Sequence, residues 1–317
     1  MPTSPISLPL RNPAGEVVIE NQVDCIVRFH NTKRLNELNR CIFSLVGQAY
    51  RPLNIILCVQ RFSKAEIAAT RAALKPLLGL PNAPTLIVRN WDNSSPPDAR
   101  TALLNMGLQA ATGQYVAFLD YDDVLYPEAY TILVGRLKTS RSAIAFATVR
   151  VVSADVYPHF IRTVKRIDPP FHGGNLQDLF QANFAPIHSY LIDRSVVAPI
   201  LLSFDAQLTW EEDYDLLLKI CAEYPSDFYA VDKIIGDYYF KTDGSNSVPM
   251  NGILSEERRL VYERITARIE IRRRATVVKP EVRAQLGLPS HLPEMTIRDA
   301  LDALHARTEV VPLSFGV

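Results

Sequence analysis

From about residue 23 onward, short apolar runs alternate with longer stretches in which apolar residues recur every three or four positions. Val23-Asp24-Cys25-Ile26-Val27 is the first run, and β-branched residues in so short a segment predict a buried strand. Leu35, Leu38, Ile42 and Leu45 then fall at helical spacing, which predicts a helix over 35–46. Pro52 marks a loop before a second strand, Asn54–Val59. The alternation continues with a helix over 64–78, the Gly79, Pro81 and Pro84 punctuation, a strand at Thr85–Val88, a helix over 98–111 and a strand at Tyr115–Leu119. Such an order predicts an α/β fold with a mainly parallel central sheet flanked by helices, the Rossmann-like kind whose ligands sit beyond the carboxyl ends of the strands. Further on, strands are expected at 143–152 and 188–192, and helices at 175–181, 212–222, 251–274 and 296–307.

Composition narrows the class. The 317 residues suffice for one large domain or two small ones, and 48% hydrophobic with 21% charged residues excludes disordered, collagenous and coiled-coil chains. The 34 Lys+Arg balance 34 Asp+Glu, so no overall field draws the protein to nucleic acid, and no nucleic-acid partner is expected. Cys25, Cys41, Cys58 and Cys221 are widely spaced and sit mostly among apolar neighbours, which predicts buried thiols in a reducing compartment. The Pro-rich lead lacks a basic segment followed by a sustained apolar one, and no run of about 18 apolar residues occurs. The expectation is a cytoplasmic protein without a signal peptide or a membrane-spanning helix.

The fourth strand runs directly into Asp120-Tyr121-Asp122-Asp123, which puts three carboxylates at the ligand-binding edge of the sheet. If the strand period persists, Asp120 and Asp122 point to one side and Tyr121 away. Paired hard oxygens suit Mg²⁺ or Mn²⁺, ions that complete their shells with water and phosphate oxygens. The competing reading is that Asp-rich stretches simply cap strands or open loops. A second acidic cluster, Glu211-Glu212-Asp213 with Asp215, stands at the start of the 212–222 helix, where the helix dipole favours it whatever its function.

Four blocks decide between these readings by resemblance. Val23–Tyr50 opens with a strand and a short loop ending in His30-Asn31 and carries Ser44, Leu45, Gln48 and Tyr50; Asn105–Tyr115 reads N-x-G-x-x-x-A-x-G-x-Y; FLDYDDVLYPEA follows; and Phe204-Asp205-x-x-Leu208 precedes Glu212-Asp213-x-Asp215-Leu216. Over about residues 22–248 the chain resembles family 2 glycosyltransferases of the GT-A fold. The resemblance implies an inverting transfer of a sugar from a nucleotide-diphospho-sugar donor to a saccharide or lipid-linked saccharide, in surface polysaccharide or lipopolysaccharide synthesis. It implies that Asp122 ligates Mn²⁺ or Mg²⁺, that Asp120 holds the ribose or helps with the metal, and that Asp213, rather than Glu212, is the general base, kept ionised by the helix start. A catalytically silent GT-A module that binds a glycan or protein partner is the alternative. A sugar nucleotidyltransferase is another, disfavoured because no Gly-rich phosphate loop follows the first strand.

The chain departs from the family pattern in two places. Where members often end the second strand with Asp-Asp, it has Val59-Gln60-Arg61, so Gln60 is the candidate for the nucleobase edge. Phe240-Lys241-Thr242-Asp243 resembles a late R-x-H loop with Lys and Asp substituted, making Asp243 a candidate metal ligand and Lys241 a candidate diphosphate contact, against the reading of Asp-Gly-Ser-Asn as a turn. Asn31 and Arg100 are further donor-side candidates, and Trp210 and His188 acceptor-side ones. The division expected is an irregular lead over 1–21, the GT-A domain over 22–248 and a helical C-terminal extension over 249–317. Helix 255–274 gathers eight nearby cations with Val261, Ile265 and Ile269 along one side, as peripheral membrane helices do, while Glu256, Glu257, Glu263 and Glu270 favour a solvated helix packed on the domain.

Overall fold

The computed structural model describes residues 9–157, 160–167, 171–242, 255–291 and 293–309. The expected alternation is present as β1 (Ile19–Phe29), α1 (Leu35–Val46), β2 (Leu53–Gln60), α2 (Lys64–Leu78), β3 (Thr85–Trp91), α3 (Arg100–Ala110) and β4 (Gly113–Asp120). A capping box starts α2, since Ser63 accepts from the Glu66 amide while the Glu66 carboxylate accepts from the Ser63 amide. After β4 come β5 (Val124–Leu125), α4 (Ala129–Ser140), β6 (Ile144–Val156), β7 (Ile161–Ile167), α5 (Leu176–Gln181), β8 (Tyr190–Asp193), α6 (Glu212–Glu223) and β9 (Ser226–Lys241). The C-terminal helices are α7 (Glu256–Ala275), α8 (Pro280–Gln285) and α9 (Ile297–Glu309).

Among the described residues the strands form one sheet in the order β3-β2-β1-β4-β8-β6-β9-β5, with β7 paired to β6. β1 to β4 are mutually parallel, which brings the ends of β1 and β4 together with Arg28 level with Asp120. The second half is mixed, because β8 runs antiparallel between β4 and β6 while β9 returns parallel to β6. Side chains alternate across this sheet: Ile26, Ile56 and Phe118 enter one core and Cys25, Val27 and Ala117 the other. Ile265 and Ile269 of α7 and Ile297, Ala300 and Leu301 of α9 lie in the first core with Leu216 and Leu217 of α6. All four cysteines are free and buried. No helix among the described residues is long and apolar enough to cross a membrane.

The quoted sequence blocks act as clamps in this scaffold. Gln48 donates to the Tyr126 carbonyl at 2.8 Å and accepts from the Tyr130 amide, Ser44 accepts from the Leu125 amide, and Tyr50 donates to the Asn21 carbonyl. The end of α1 is thereby tied to the chain just after the acidic turn. Asn105 exchanges two hydrogen bonds with the Phe204 backbone, joining α3 to the segment before α6. Gly107 lets α3 approach β1 closely: a Cβ there would lie 2.4 Å from Cγ2 of the fully buried Ile26. An exposed helical Gly→Ala change normally stabilises by about 1 kcal/mol. Here overpacking wins, and Gly107→Ala is expected to cost about 1–3 kcal/mol, measurable as a lower denaturant midpoint with an unchanged slope.

The long basic helix is packed, not laid bare. Arg268 reaches Asp205 at 2.5 Å, Arg272 reaches the buried Asp215 at 2.6 Å, and Arg273 donates to the Phe180 and Gln181 carbonyls. Of the two readings of helix 255–274, the geometry therefore favours the packed one.

Candidate active site

A cavity of about 590 Å³ opens at the carboxyl ends of β1, β2 and β4, where a doubly wound sheet places its ligand. Asn31, Gln60, Arg100, Asp120, Asp122 and Lys241 all line it. Five separate stretches of sequence thus converge on one cleft. Asp98 and Arg100 also line a second cavity of about 320 Å³ against Trp210 and Arg258. Trp210 there packs on Tyr262 of α7, with ring centroids 4.5 Å apart.

Arg28 organises the cleft, and it was not among the residues expected. Its Nε and Nη2 hold both oxygens of Asp120, at 2.5 and 2.9 Å, and its Nη1 holds Glu212 at 2.6 Å. Burial alone would lower the Arg28 pKa, but the two carboxylates more than reverse that, so it stays fully charged. Likewise burial raises Asp120 while Arg28 lowers it further, leaving it below the ordinary carboxylate value. The signal was present in the sequence: a lone cation ends an apolar strand that neighbours an acidic one.

Asp213 stands apart from its neighbour. Its Oδ1 accepts the Tyr214 amide at 2.8 Å and a long 3.4 Å contact from Asn183. Burial, and then the charge of Glu212, push its pKa up to about 7. The expected helix-start effect that would keep it ionised is outweighed, a correction whose cause is desolvation. Glu211, just before the helix, holds φ at 55°, a left-handed conformation costly for a residue with a Cβ and typical of functional sites.

The acidic turn differs in detail from the strand-period expectation. β4 ends at Asp120, and Asp122 lies in the following turn with its carboxylate 2.5 Å from Lys241 Nζ and its carbonyl 2.5 Å from Arg40. Asp123 is buried and accepts the Tyr239 amide at 2.7 Å. Among the described residues no three potential metal ligands cluster, and Asp120 is committed to Arg28 rather than open to an ion. The Asp122 carboxylate is likewise paired, with Lys241, so Mg²⁺ or Mn²⁺ would be held there only if a bound diphosphate drew Lys241 away, the diphosphate and water completing the shell. Asp243 lies outside the described residues.

Three further expectations are placed as follows. Gln60 donates to the Pro97 carbonyl at 2.8 Å and accepts from the Ala99 amide, so its amide braces the 97–99 loop. Asn31 caps a single 3₁₀ turn (Thr32–Arg34) through the Lys33 amide at the cleft wall. Arg100 pairs with Asp98 at 2.9 Å. His188 corrects its acceptor-side assignment: the ring is fully buried 3.6 Å from Asp123, stacks on Tyr238, and burial lowers its pKa to about 4. It supports the acidic turn from behind and does not face the cleft.

The profile of Glycosyl transferase family 2 matches residues 24–201, more than half of the chain. The chain belongs to that family. An uncharacterised glycosyltransferase of Escherichia coli K12, YibD, is 27% identical over 114 residues, which is 36% of this chain and 30% of that relative's length. The Staphylococcus aureus TarS 1–349 structure in complex with UDP-GlcNAc superposes with a TM-score of 0.52 at 16% identity, over 78% of this chain and 66% of that one. The Pyrobaculum calidifontis mannosyltransferase in complex with GDP-Man and Mn²⁺ gives 0.52 at 15% identity, over 92% and 76%. At such identities the superpositions establish the fold of this family 2 chain, a GT-A-like α/β sheet flanked by helices.

Proposed function

We propose that the protein is an inverting glycosyltransferase that moves a sugar from a nucleoside-diphosphate donor to a hydroxyl of a saccharide or lipid-linked saccharide, in surface polysaccharide synthesis at the cytoplasmic side. Residues 22–248 would form the transferring domain and 249–317 its helical extension. The observation that carries this reading is the division of labour between two adjacent carboxylates: Glu212 is neutralised by Arg28, while Asp213 sits beside it with a pKa near 7. The complexes of UDP-GlcNAc and of GDP-Man with Mn²⁺ in the two similar structures support the donor class.

In this mechanism the acceptor hydroxyl gives its proton to Asp213 and its oxygen attacks carbon 1 from the face opposite the diphosphate. The bond from carbon 1 to the phosphate oxygen breaks with its electron pair going to the phosphate. Lys241 and Arg100, on the same cavity wall, offset the charge that develops there. A divalent ion held by Asp122 would add Lewis-acid stabilisation of the leaving diphosphate. Trp210 offers an apolar face to the acceptor sugar in the adjoining cavity.

The test is product analysis: incubation with nucleotide sugars and acceptor releases a nucleoside diphosphate. Release of pyrophosphate from a nucleoside triphosphate and a sugar 1-phosphate instead would make the protein a nucleotidyltransferase, and no release in either mixture a silent module. The base assignment adds a pH prediction. Asp213 must be ionised, so kcat/KM is expected to fall about tenfold per unit of pH below 7 and to level off above it. A profile flat from pH 5 to 8 would remove Asp213 from the role.

A further inference from the structure

β7 is an edge strand that pairs with the end of β6 alone, and the two form a ribbon bordering the sheet, with β9 on the other side of β6 as far as Ala154. It stands beside the cleft: Thr242, next to Lys241, donates to Asp155 of the ribbon, and Thr163 and Phe160 share a groove of about 330 Å³ with Arg40 and Tyr239. Tyr239 is also a wall of the donor cavity.

The surface of this ribbon is unusual. Phe160 is 59% exposed, Val164 54% and Tyr157 41%, and the two aromatic rings stack on each other with centroids 4.6 Å apart. Arg162, Lys165 and Arg166 lie among them and are exposed. Arg162 pairs with Asp155 through a 2.9 Å hydrogen bond. Charges alone would be ordinary, because outer strands carry them to prevent edge-to-edge aggregation. That explanation fails for three large apolar groups left in water on the same short ribbon. Amphipathic aromatics with interspersed cations match the boundary of an anionic bilayer, where rings sit at headgroup level and each cation near the surface adds attraction. Helix α7, the other basic element, has its arginines 268, 272 and 273 turned into the protein while Arg258, Arg259, Arg264 and Arg274 stay exposed, and it is the rival element that the α7 variant below tests.

We propose that the β6–β7 ribbon is a membrane-contact element that seats Phe160 and Tyr157 in the headgroup layer of an anionic lipid surface, with Lys165 and Arg166 providing the electrostatic attraction. It would hold the mouth of the cleft against the bilayer. The proposal does not depend on the transferase reading.

The full-length protein should be sedimented with vesicles of phosphatidylcholine alone and of phosphatidylcholine with phosphatidylglycerol. Binding is expected to the anionic vesicles only, and to weaken as NaCl rises from roughly 0.1 to 0.5 M. Lys165→Glu with Arg166→Glu is expected to reduce the partition coefficient by at least about 25-fold, from roughly fivefold per cation. Phe160→Ser should reduce it at unchanged charge, while Arg258→Glu with Arg259→Glu on α7 should leave it within about threefold, less than the loss of one membrane-facing cation. Unchanged melting temperatures exclude misfolding of the ribbon variants. Equal sedimentation with neutral and anionic vesicles, wild-type binding by the ribbon variants, or loss of binding only in the α7 variant would each overturn the proposal. Wild type that stays in the supernatant with both vesicles would overturn it as well.

Discussion

Asp213→Asn is expected to abolish sugar transfer, by about 10²–10⁴-fold for a lost general base, and to make the protein more stable. Both effects have one cause. A carboxyl with a pKa near 7 in the folded chain and near 3.8 when unfolded is easier to ionise unfolded. Its contribution to stability is therefore intact below pH 4 and is lost as pH rises through about 7. The roughly three-unit shift sets a ceiling of about 4 kcal/mol, at 1.36 kcal/mol per unit. Asparagine keeps the hydrogen bond from the Tyr214 amide without the charge. The melting temperature should then rise by a few degrees at pH 8 and hardly at pH 4.5. A variant that is inactive yet no more stable at pH 8 would mean that Asp213 is solvated and unperturbed in the free protein. A variant that keeps a tenth of the activity would deny its role as base.

Arg28→Met is the second large effect. Arg28 and Glu212 have side chains only 17% and 5% exposed, so removing the cation strands Glu212 away from water and leaves Asp120, on the cleft wall, without its partner. Breaking a buried pair by deleting one partner costs about 3–5 kcal/mol, whereas replacing both partners costs far less. Arg28→Met should therefore lower the melting temperature sharply, and Arg28→Met with Glu212→Gln should recover part of the loss. The same deletion removes a positive charge that holds the Asp213 pKa down, so whatever activity remains should need a higher pH than wild type. If Arg28→Met melts like wild type, the bridge between the acidic turn and α6 is a surface contact and not the organiser of the cleft.

How much of this was legible in the sequence depends on range. Helices α1 and α2 fall on the limits expected from the Leu35–Leu45 spacing and from the 64–78 segment closed by Gly79, because periodicity and breakers are local. The ends of β1, β2 and β4 were equally readable as apolar runs. β6 was readable at 143–152 though it runs on to Val156, but β7 and the long β9 were not, since they pair with distant residues and carry mixed, half-exposed patterns. At the site, residue types in the family blocks led to Asp120, Asp122, Glu212, Asp213 and Lys241; the fold brings Asp120, Asp122 and Lys241 to one cleft and ties Glu212 to it through Arg28, with Asp213 next in sequence. What stayed hidden was partnership. Nothing local says that Asp120 and Glu212 share Arg28, that the Gln60 amide is spent on the 97–99 loop, or that His188 is sealed behind Asp123. Burial and neighbouring charge, which push the Asp213 pKa up, arise only when distant segments meet.

The donor site is the central claim, and calorimetric titration of the wild type and Asp122→Ala with UDP, GDP, dTDP and CDP, each with Mn²⁺, with Mg²⁺ and with EDTA, tests it most directly. The account predicts that one nucleoside diphosphate binds wild type, that EDTA removes the binding, and that Asp122→Ala lacks it while melting normally. Failure of every nucleotide to bind wild type, or equal binding by Asp122→Ala, would contradict it.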